Sequence, residues 1–384
     1  MSKRKICVVI GSRANYGRIK SVLEAITEHS ELELRLIAEA SALLYRFGKV
    51  IDVIKGDGYR IDATVYSIVE GENPTTMAKS TGLAIMELAT IFEKLQPDVV
   101  LTVADRFETI GTAIAASYMN IPVAHTQGGE LTGSIDENVR HAVTKLSHIH
   151  FPATQQAGKI LEQMGEEPFR IHVTGCPAID VARRACEEQS DNLFGKYGGT
   201  GPELDWRKPF LVVLQHPVTT EYGQGFAQIN QTAEAVKRLG LQTVWFWPNV
   251  DAGSDDVSKG LRVFRNANAD LPTHFYRSFT PGDFARLIKR CTCLVGNSSS
   301  GIREGSFLGV PVVNIGTRQR GRERCDNVID TDYDADQIVD AVKRQLDNGR
   351  YPSSQLYGDG RAGGRIAGKL AEADLDLLKR FHVC

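Results

Sequence analysis

The sequence predicts an α/β protein of two similar halves, each a parallel sheet covered by helices on both faces. Three observations carry this. Apolar runs of strand length alternate with amphipathic runs of helix length along nearly all of the chain. One polar, glycine-containing stretch, "RRACEEQSDNLFGKYGGTGPELDWRK", breaks the rhythm once. At 384 residues the chain is long enough for two cores.

The elements follow in order. "KICVVIG" is a buried strand, and "YGRIKSVLEAITEH" the helix after it. "ELELRLIAEA" alternates as a strand, and "TTMAKSTGLAIMELATIFEKL" is a long amphipathic helix. "QPDVVLTVAD" is a strand after a Pro-Asp stop, "RFETIGTAIAASYMN" a helix, and "IPVAHTQGG" a strand running into a glycine turn. After the break, "PFLVVLQHP" is a strand, "GQGFAQINQTAEAVKRLG" a helix and "LQTVWFWPN" a strand. "PGDFARLIKRC" is a helix, "CLVGNSSS" a strand entering a loop, "GIREGSFLG" a helix and "VPVVNIG" a strand. "KLAEADLDLLKRFHV" reads as a terminal helix. The expected division is a first domain over 1–178, a connection over 179–208, a second domain over 209–365 and the terminal helix over 366–384.

Composition narrows the function classes. The chain is 42% hydrophobic and 24% charged with a formal net charge of −2, so no global basic field invites nucleic acid. No apolar run is long enough to span a bilayer, so no membrane partner is expected. The N-terminal "MSKRKICVVIGS" has too short an apolar stretch for a signal peptide, and a cytoplasmic location is expected. Cys7, Cys176, Cys186, Cys291, Cys293, Cys325 and Cys384 form no CxxC pair, which argues against a disulfide frame or a zinc site. They read as buried thiols, with Cys291 and Cys293 on one side of a strand.

Ligands of open α/β sheets bind outside the strand C-termini, and the unusual polar residues fall there. His216 ends an apolar strand before Pro217; it is a cleft group for phosphate or acid/base work, or else a capping histidine. Ser298, Ser299, Ser300 and Gly301 lie between a strand and a helix, where backbone N–H groups and hydroxyls can hold a pyrophosphate; the plainer alternative is serine capping. Glu304, one turn on, can accept from a ribose diol. Arg13 follows the first strand and can reach phosphates as a planar fork. Asp105 and Arg106 end another strand as cleft residues or a surface ion pair, and Asn249 and Asp251 another as cleft residues or helix caps. In "HTQGGELTG", His125, Gln127 and Glu130 crowd Gly128 and Gly129, and Asp136 follows as a converging acid/base group or a helix cap.

Taken together, "DRFET", "HTQGGELTGSIDENVRHAVTKLSHIHF", "TGCPAID", "LQHPVTT", "PNVDAGS", "GNSSSGIRE", "GTRQRGRE" and "YGDG" resemble the hydrolysing UDP-N-acetylglucosamine 2-epimerase family. That family includes the bacterial enzymes of sialic and legionaminic acid synthesis and the epimerase half of the animal bifunctional enzyme. The resemblance spans essentially the whole chain with motif order preserved. It implies a GT-B architecture, two Rossmann-like domains with UDP-sugar between them, and a C-terminal helix crossing back onto the first. It implies elimination of UDP to a 2-acetamidoglucal, then hydration to free N-acetylmannosamine, with no metal or nicotinamide cofactor. A homodimer or homotetramer is also implied.

Carried over, Asp105, His125 and Asp136 match positions of proton transfer and sugar contact. Arg13, His216, Asn249, Ser298, Ser299, Glu304 and Arg318 match nucleotide and diphosphate contacts, and Arg106 and Gly175 line the sugar cleft. Two positions depart. Asn15 replaces an acidic residue, and Gln127 stands where several relatives have glutamate. An amide cannot serve as a carboxylate base, so the proton work falls to Asp105, Asp136 or Glu130, or the chain is an impaired UDP-sugar binder. The same reaction on UDP-2,4-diacetamido-2,4,6-trideoxyglucose is a second reading. A non-hydrolysing epimerase and a GT-B glycosyltransferase are further ones, and "GGE" and "NSSSGIRE" favour the hydrolysing branch.

Overall fold

The computed structural model describes residues 3–103, 105–188 and 192–382. Cys384 lies outside them. The first half runs β1 (Arg4–Ile10), α1 (Arg13–Glu28), β2 (Leu32–Glu39), α2 (Val50–Gly56), β3 (Ala63–Val65), α3 (Pro74–Leu95), β4 (Val99–Val103), α4 (Phe107–Tyr118), β5 (Val123–Thr126), α5 (Asp136–Leu146), β6 (Ile149–Phe151), α6 (Gln155–Gln163) and α7 (Pro177–Glu187). The second runs β7 (Gly199–Thr200), β8 (Phe210–Leu214), α8 (Gly225–Leu239), β9 (Gln242–Phe246), α9 (Ser254–Ala267), β10 (Thr273–Tyr276), α10 (Pro281–Arg290), β11 (Cys293–Gly296), α11 (Ser299–Ile302), α12 (Glu304–Phe307), β12 (Val312–Ile315), β13 (Val328–Thr331), α13 (Ala335–Asn348) and α14 (Ala362–Glu372).

The first sheet is six-stranded in the order β3-β2-β1-β4-β5-β6, and the second is seven-stranded in the order β13-β12-β11-β8-β9-β10-β7. All pairings are parallel except the edge pair of β7 with β10. Read from β8, the second sheet repeats the winding of the first. Each half is therefore doubly wound, with its switch point between β1 and β4 or between β8 and β11, where a crevice opens. Strands buried on both faces explain the near-continuous apolar runs: every residue of β4, β8 and β11 is buried. Helices close two apolar layers per sheet; Ile19, Val22, Leu23 and Ile26 of α1 pack with Ile6, Val8 and Ile10 of β1. Among the described residues, no helix is long and apolar enough to cross a membrane.

Five local expectations change. The stretch expected as a connection is folded: Leu193, Phe194, Leu204 and Trp206 bury in the core of the second half, and β7 extends its sheet; residues 189–191 lie outside the described set. The expected helix over "GIREGSFLG" is two short helices meeting at Arg303, whose ψ of −75° interrupts the ladder. The terminal helix ends at Glu372, and residues 373–382 have no regular structure. Its Ile366, Ala367 and Leu370 pack into the first core, so the chain does cross back. Cys291 caps α10 and packs on one side of the sheet while Cys293 packs on the other, because the strand begins only at Cys293. Cys186 is exposed rather than buried.

Candidate active site

The two switch points face each other across a cleft of about 1320 Å³ including its open mouth. Its floor is built by strand ends. β1 delivers Ser12 and Arg13, β4 leads to Asp105 and Arg106, β8 to His216, β9 to Trp247 and Asn249, and β11 to Ser298, Ser299 and Ser300. Glu304 and Arg318 complete the polar wall, and Phe246, Phe279 and Phe284 form an apolar one.

The phosphate-type loop exists because β11 can turn sharply. Gly296 has φ +127°, and a Cβ there would lie 2.0 Å from the Leu214 carbonyl oxygen. Asn297 then locks the loop to the neighbouring strand end: its Oδ1 accepts from the His216 N–H and its Nδ2 donates to the His216 carbonyl, both at 2.8 Å. Ser298 caps α11 by accepting from the Ser300 N–H. The capping alternative therefore holds for Ser298, while Ser299 and Ser300 also line the cleft. Gly301 does not line it; it lies against Val312 of β12.

His216 is fixed as a neutral donor. Its Nδ1 accepts from the Asn249 N–H at 3.3 Å, which places the ring proton on Nε2. Burial, then Arg318, Arg13 and Arg106, push its pKa well below the ordinary histidine value. A neutral Nε2–H beside cationic groups suits an anionic leaving group. Arg13 is itself pushed down to about 10 by burial and by Arg106.

On the first half's side the carboxylates diverge. Asp105 accepts from Arg140 Nε at 3.2 Å and faces Arg18 at 3.5 Å. Burial opposes its ionisation, but Arg140, Arg18 and Arg322 outweigh burial and hold its pKa well below the usual carboxylate range. Asp136 opens α5 and lies 3.5 Å from Arg318. Burial, then the neighbouring Asp105, push it up to about 6. Glu130 meets Arg303 and Arg322 of the second half. Arg106 reaches across to Asp251 at 3.0 Å while its Nε holds Glu108 at 2.8 Å. Neither Asp105 nor Arg106 is a surface pair; both are buried.

Seven expected site residues are absent from the cleft lining: Gly301; Glu130, Asp136 and Asp251, which are held by arginines, Asp136 meeting the lining through Arg318; and His125, Gly175 and Gln127. His125 is fully buried within β5, with Nδ1 3.4 Å from Thr144 Oγ1, and does not line the cleft. The sequence run put it at the strand's end; its register, opposite Thr102 of β4 and His150 of β6, puts it inside the sheet. Gly175 lies against Gly358 rather than on the cleft wall. Gln127 sits just past β5 at φ +63°, buried, with neither side-chain polar atom hydrogen-bonded among the described residues. Asn15, by contrast, has a use for an amide: its Oδ1 accepts from the Gly11 N–H and its Nδ2 donates to the Val103 carbonyl, tying β1 to β4. A carboxylate could not make the second bond.

Sequence reasoning assigned no role to Arg18, Arg140, Arg303 or Arg322, whose guanidinium groups surround the carboxylates. Arg140, Arg303 and Arg322 fell inside the quoted motifs, and their nearness to acidic residues was the only signal.

A family model described as UDP-N-acetylglucosamine 2-epimerase matches residues 24–371. The chain is 33% identical over 363 residues to a hydrolysing UDP-N,N'-diacetylbacillosamine 2-epimerase of Legionella pneumophila, with 94% of each chain covered. It is 30% identical over 358 residues to a UDP-N-acetylglucosamine 2-epimerase of Neisseria meningitidis, covering 93% of this chain and 91% of that one. In fold it is similar to the UDP-GlcNAc 2-epimerase of Methanocaldococcus jannaschii solved with UDP-GlcNAc and UDP, at a TM-score of 0.80 and 17% identity, over 96% of this chain and 100% of that one. Matched along its length in sequence and in both sheets, the chain belongs to the UDP-N-acetylglucosamine 2-epimerase family.

Proposed function

We propose that the protein is a hydrolysing UDP-sugar 2-epimerase that takes UDP-GlcNAc to UDP and free N-acetylmannosamine, for synthesis of sialic-acid-type sugars. The observation that carries this reading is the pair Asp105 and Asp136, two neighbouring carboxylates whose surroundings drive their proton affinities apart. A carboxylate that exchanges its proton near neutrality, beside one that stays charged, suits removal and return of a proton at carbon.

The reaction runs in two balanced steps. Asp136, as carboxylate, takes the C2 proton; the C1–O bond breaks and its electron pair leaves on the UDP oxygen, giving a C1–C2 double bond. The His216 Nε2–H, Arg13 and the loop at Ser298–Ser300 stabilise the departing diphosphate. Water then adds, its hydroxyl to C1 and its proton to C2 on the opposite face, and Asp136 releases the proton it took to solvent. Asp105 stays ionised throughout and offsets positive charge developing at C1.

One observation favours a second substrate, UDP-2,4-diacetamido-2,4,6-trideoxyglucose: the Legionella relative is named for a UDP-diacetylbacillosamine. Product analysis on both UDP-sugars in D2O tests the proposal. Expected are UDP and a free 2-epimeric sugar carrying deuterium at C2. Retention of the UDP-linked epimer would mark a non-hydrolysing enzyme. Tight UDP binding without turnover, relieved by Gln127→Glu, would mark an impaired binder.

A further inference from the structure

A buried ring of polar contacts joins the loop at Ser299 to the first half's carboxylates and returns. Ser299 Oγ accepts from Arg18 at 2.6 Å, and Arg18 faces Asp105 at 3.5 Å. Asp105 accepts from Arg140 Nε at 3.2 Å, and Arg140 Nη1 donates to the Glu130 backbone carbonyl. The Glu130 carboxylate crosses to the second half, where one oxygen takes both Arg303 and Arg322. Arg303 closes the ring, since its N–H donates to the Ser299 carbonyl at 2.9 Å.

Glu130, Arg303 and Arg322 are all buried. Two buried cations on one carboxylate oxygen make that carboxylate costly to remove and poorly suited to carrying a proton. Its place in the chain gives it leverage: it lies between Gln127 and Asp136 on the loop leading into α5, while Arg303 follows α11 directly. We infer that Glu130 is a positioning residue, which sets the loop bearing Asp136 in register with the phosphate side of the cleft through Arg303 and Arg322. This rests on the proposed elimination reaction.

The test compares Glu130→Gln, Arg322→Gln and the charge-balanced double variant with the unaltered protein. Each is measured for kcat, KM and pH profile on the UDP-sugar it turns over, and for thermal stability with and without UDP. Glu130→Gln is expected to lower kcat about ten- to a hundredfold, the scale of a small misplacement of reacting groups. KM should stay within about threefold and the pH profile should keep its shape. The double variant should regain at least about tenfold of the lost rate, since it no longer buries the unpaired second arginine. A double variant no faster than Glu130→Gln, or loss of the acid limb in Glu130→Gln, would mean that Glu130 moves the proton itself, and would overturn the inference.

If Glu130→Gln does not fold, the double variant is compared with Arg322→Gln. Rates within about tenfold support positioning, and a hundredfold deficit overturns it. The UDP-induced rise in melting temperature needs no turnover. It should shrink by about half or more in Glu130→Gln and recover in the double variant; an unchanged rise overturns the inference. An unaltered protein that turns over neither UDP-sugar would defeat the proposed function, and the melting comparison would still decide the role of Glu130.

Discussion

Asp136 lies 3.5 Å from the Arg318 guanidinium across the cleft, yet its proton affinity is raised, not lowered. Burial comes first and the charge of Asp105 second, and together they exceed the pull of Arg318. The consequence for rate has a definite sign. A base works as the carboxylate, so kcat/KM should rise with pH up to about 6 and level off above it. A flat profile from pH 5 to 8 would remove Asp136 from the proton step.

Stability moves the other way. The folded state holds the Asp136 proton up to about pH 6, and the unfolded chain only to about 3.9. Between those values the folded state binds more protons, so stability falls as pH rises, and the cost is fully present above pH 6. Asp136→Asn should therefore stabilise the protein by about 3 kcal/mol at pH 7 and by only about 0.5 kcal/mol at pH 4. Turnover should fall at least about a hundredfold. Urea melts at both pH values, with kcat at pH 7, check this.

His216 is held as the Nε2–H tautomer by the Asn249 N–H. Replacing it with alanine should lower kcat about a hundred- to a thousandfold, as for loss of one preorganised donor to a leaving group. Because burial and four arginines keep the ring neutral, its own titration should add no limb to the rate profile between pH 5 and 8. Steady-state kinetics across that range measure both.

The two halves meet tightly at one glycine without a strained backbone. A Cβ on Gly133, in the first half, would stand 2.0 Å from the Thr317 carbonyl oxygen of the second. Its N–H donates to the Arg318 carbonyl at 3.1 Å, so the loop and the arginine that meets Asp136 move together. Gly133→Ala should hold the halves apart, enlarging the radius of gyration in solution scattering with UDP bound. It should lower kcat/KM about tenfold or more while changing the melting temperature of the free protein little.

How far the sequence speaks differs by residue. His216, Ser299 and Asp105 were legible because each follows within three residues of the end of a buried parallel strand, where such sheets bind ligands. His125 misled by the same logic: β5 is only four residues long, and His125 is its third, inside the sheet. Arg18, Arg303 and Arg322 were silent because an arginine in a helix or loop reads as a solvated cation until its partner, more than eighty residues away, is brought to it. The paired halves were legible from rhythm, and the return of the terminal helix to the first half from the resemblance; which residues it buries there needed the tertiary fold.

Gln127 gives the last prediction. Its φ of +63° is a conformation that non-glycine residues adopt at a cost of about 1–2 kcal/mol. Its amide is buried with no hydrogen bond among the described residues, a further cost of about 1–3 kcal/mol. Its backbone N–H donates to the Phe151 carbonyl at 2.9 Å, a bond glycine would keep, and no side-chain bond among the described residues offsets these costs, so glycine there should leave the protein as stable as before or about 1 kcal/mol more so, the greater freedom of the unfolded chain offsetting part of the gain. Gln127 does not line the cleft, so Gln127→Gly should leave both UDP affinity and KM for an acetamido sugar within about threefold. Gln127→Glu, which lacks the donor and buries a charge, should be less stable than the unaltered protein and no faster. Melting temperature, UDP affinity and KM on the three proteins decide it: a glycine variant whose KM rises about tenfold or more with UDP affinity unchanged would place the amide against the sugar.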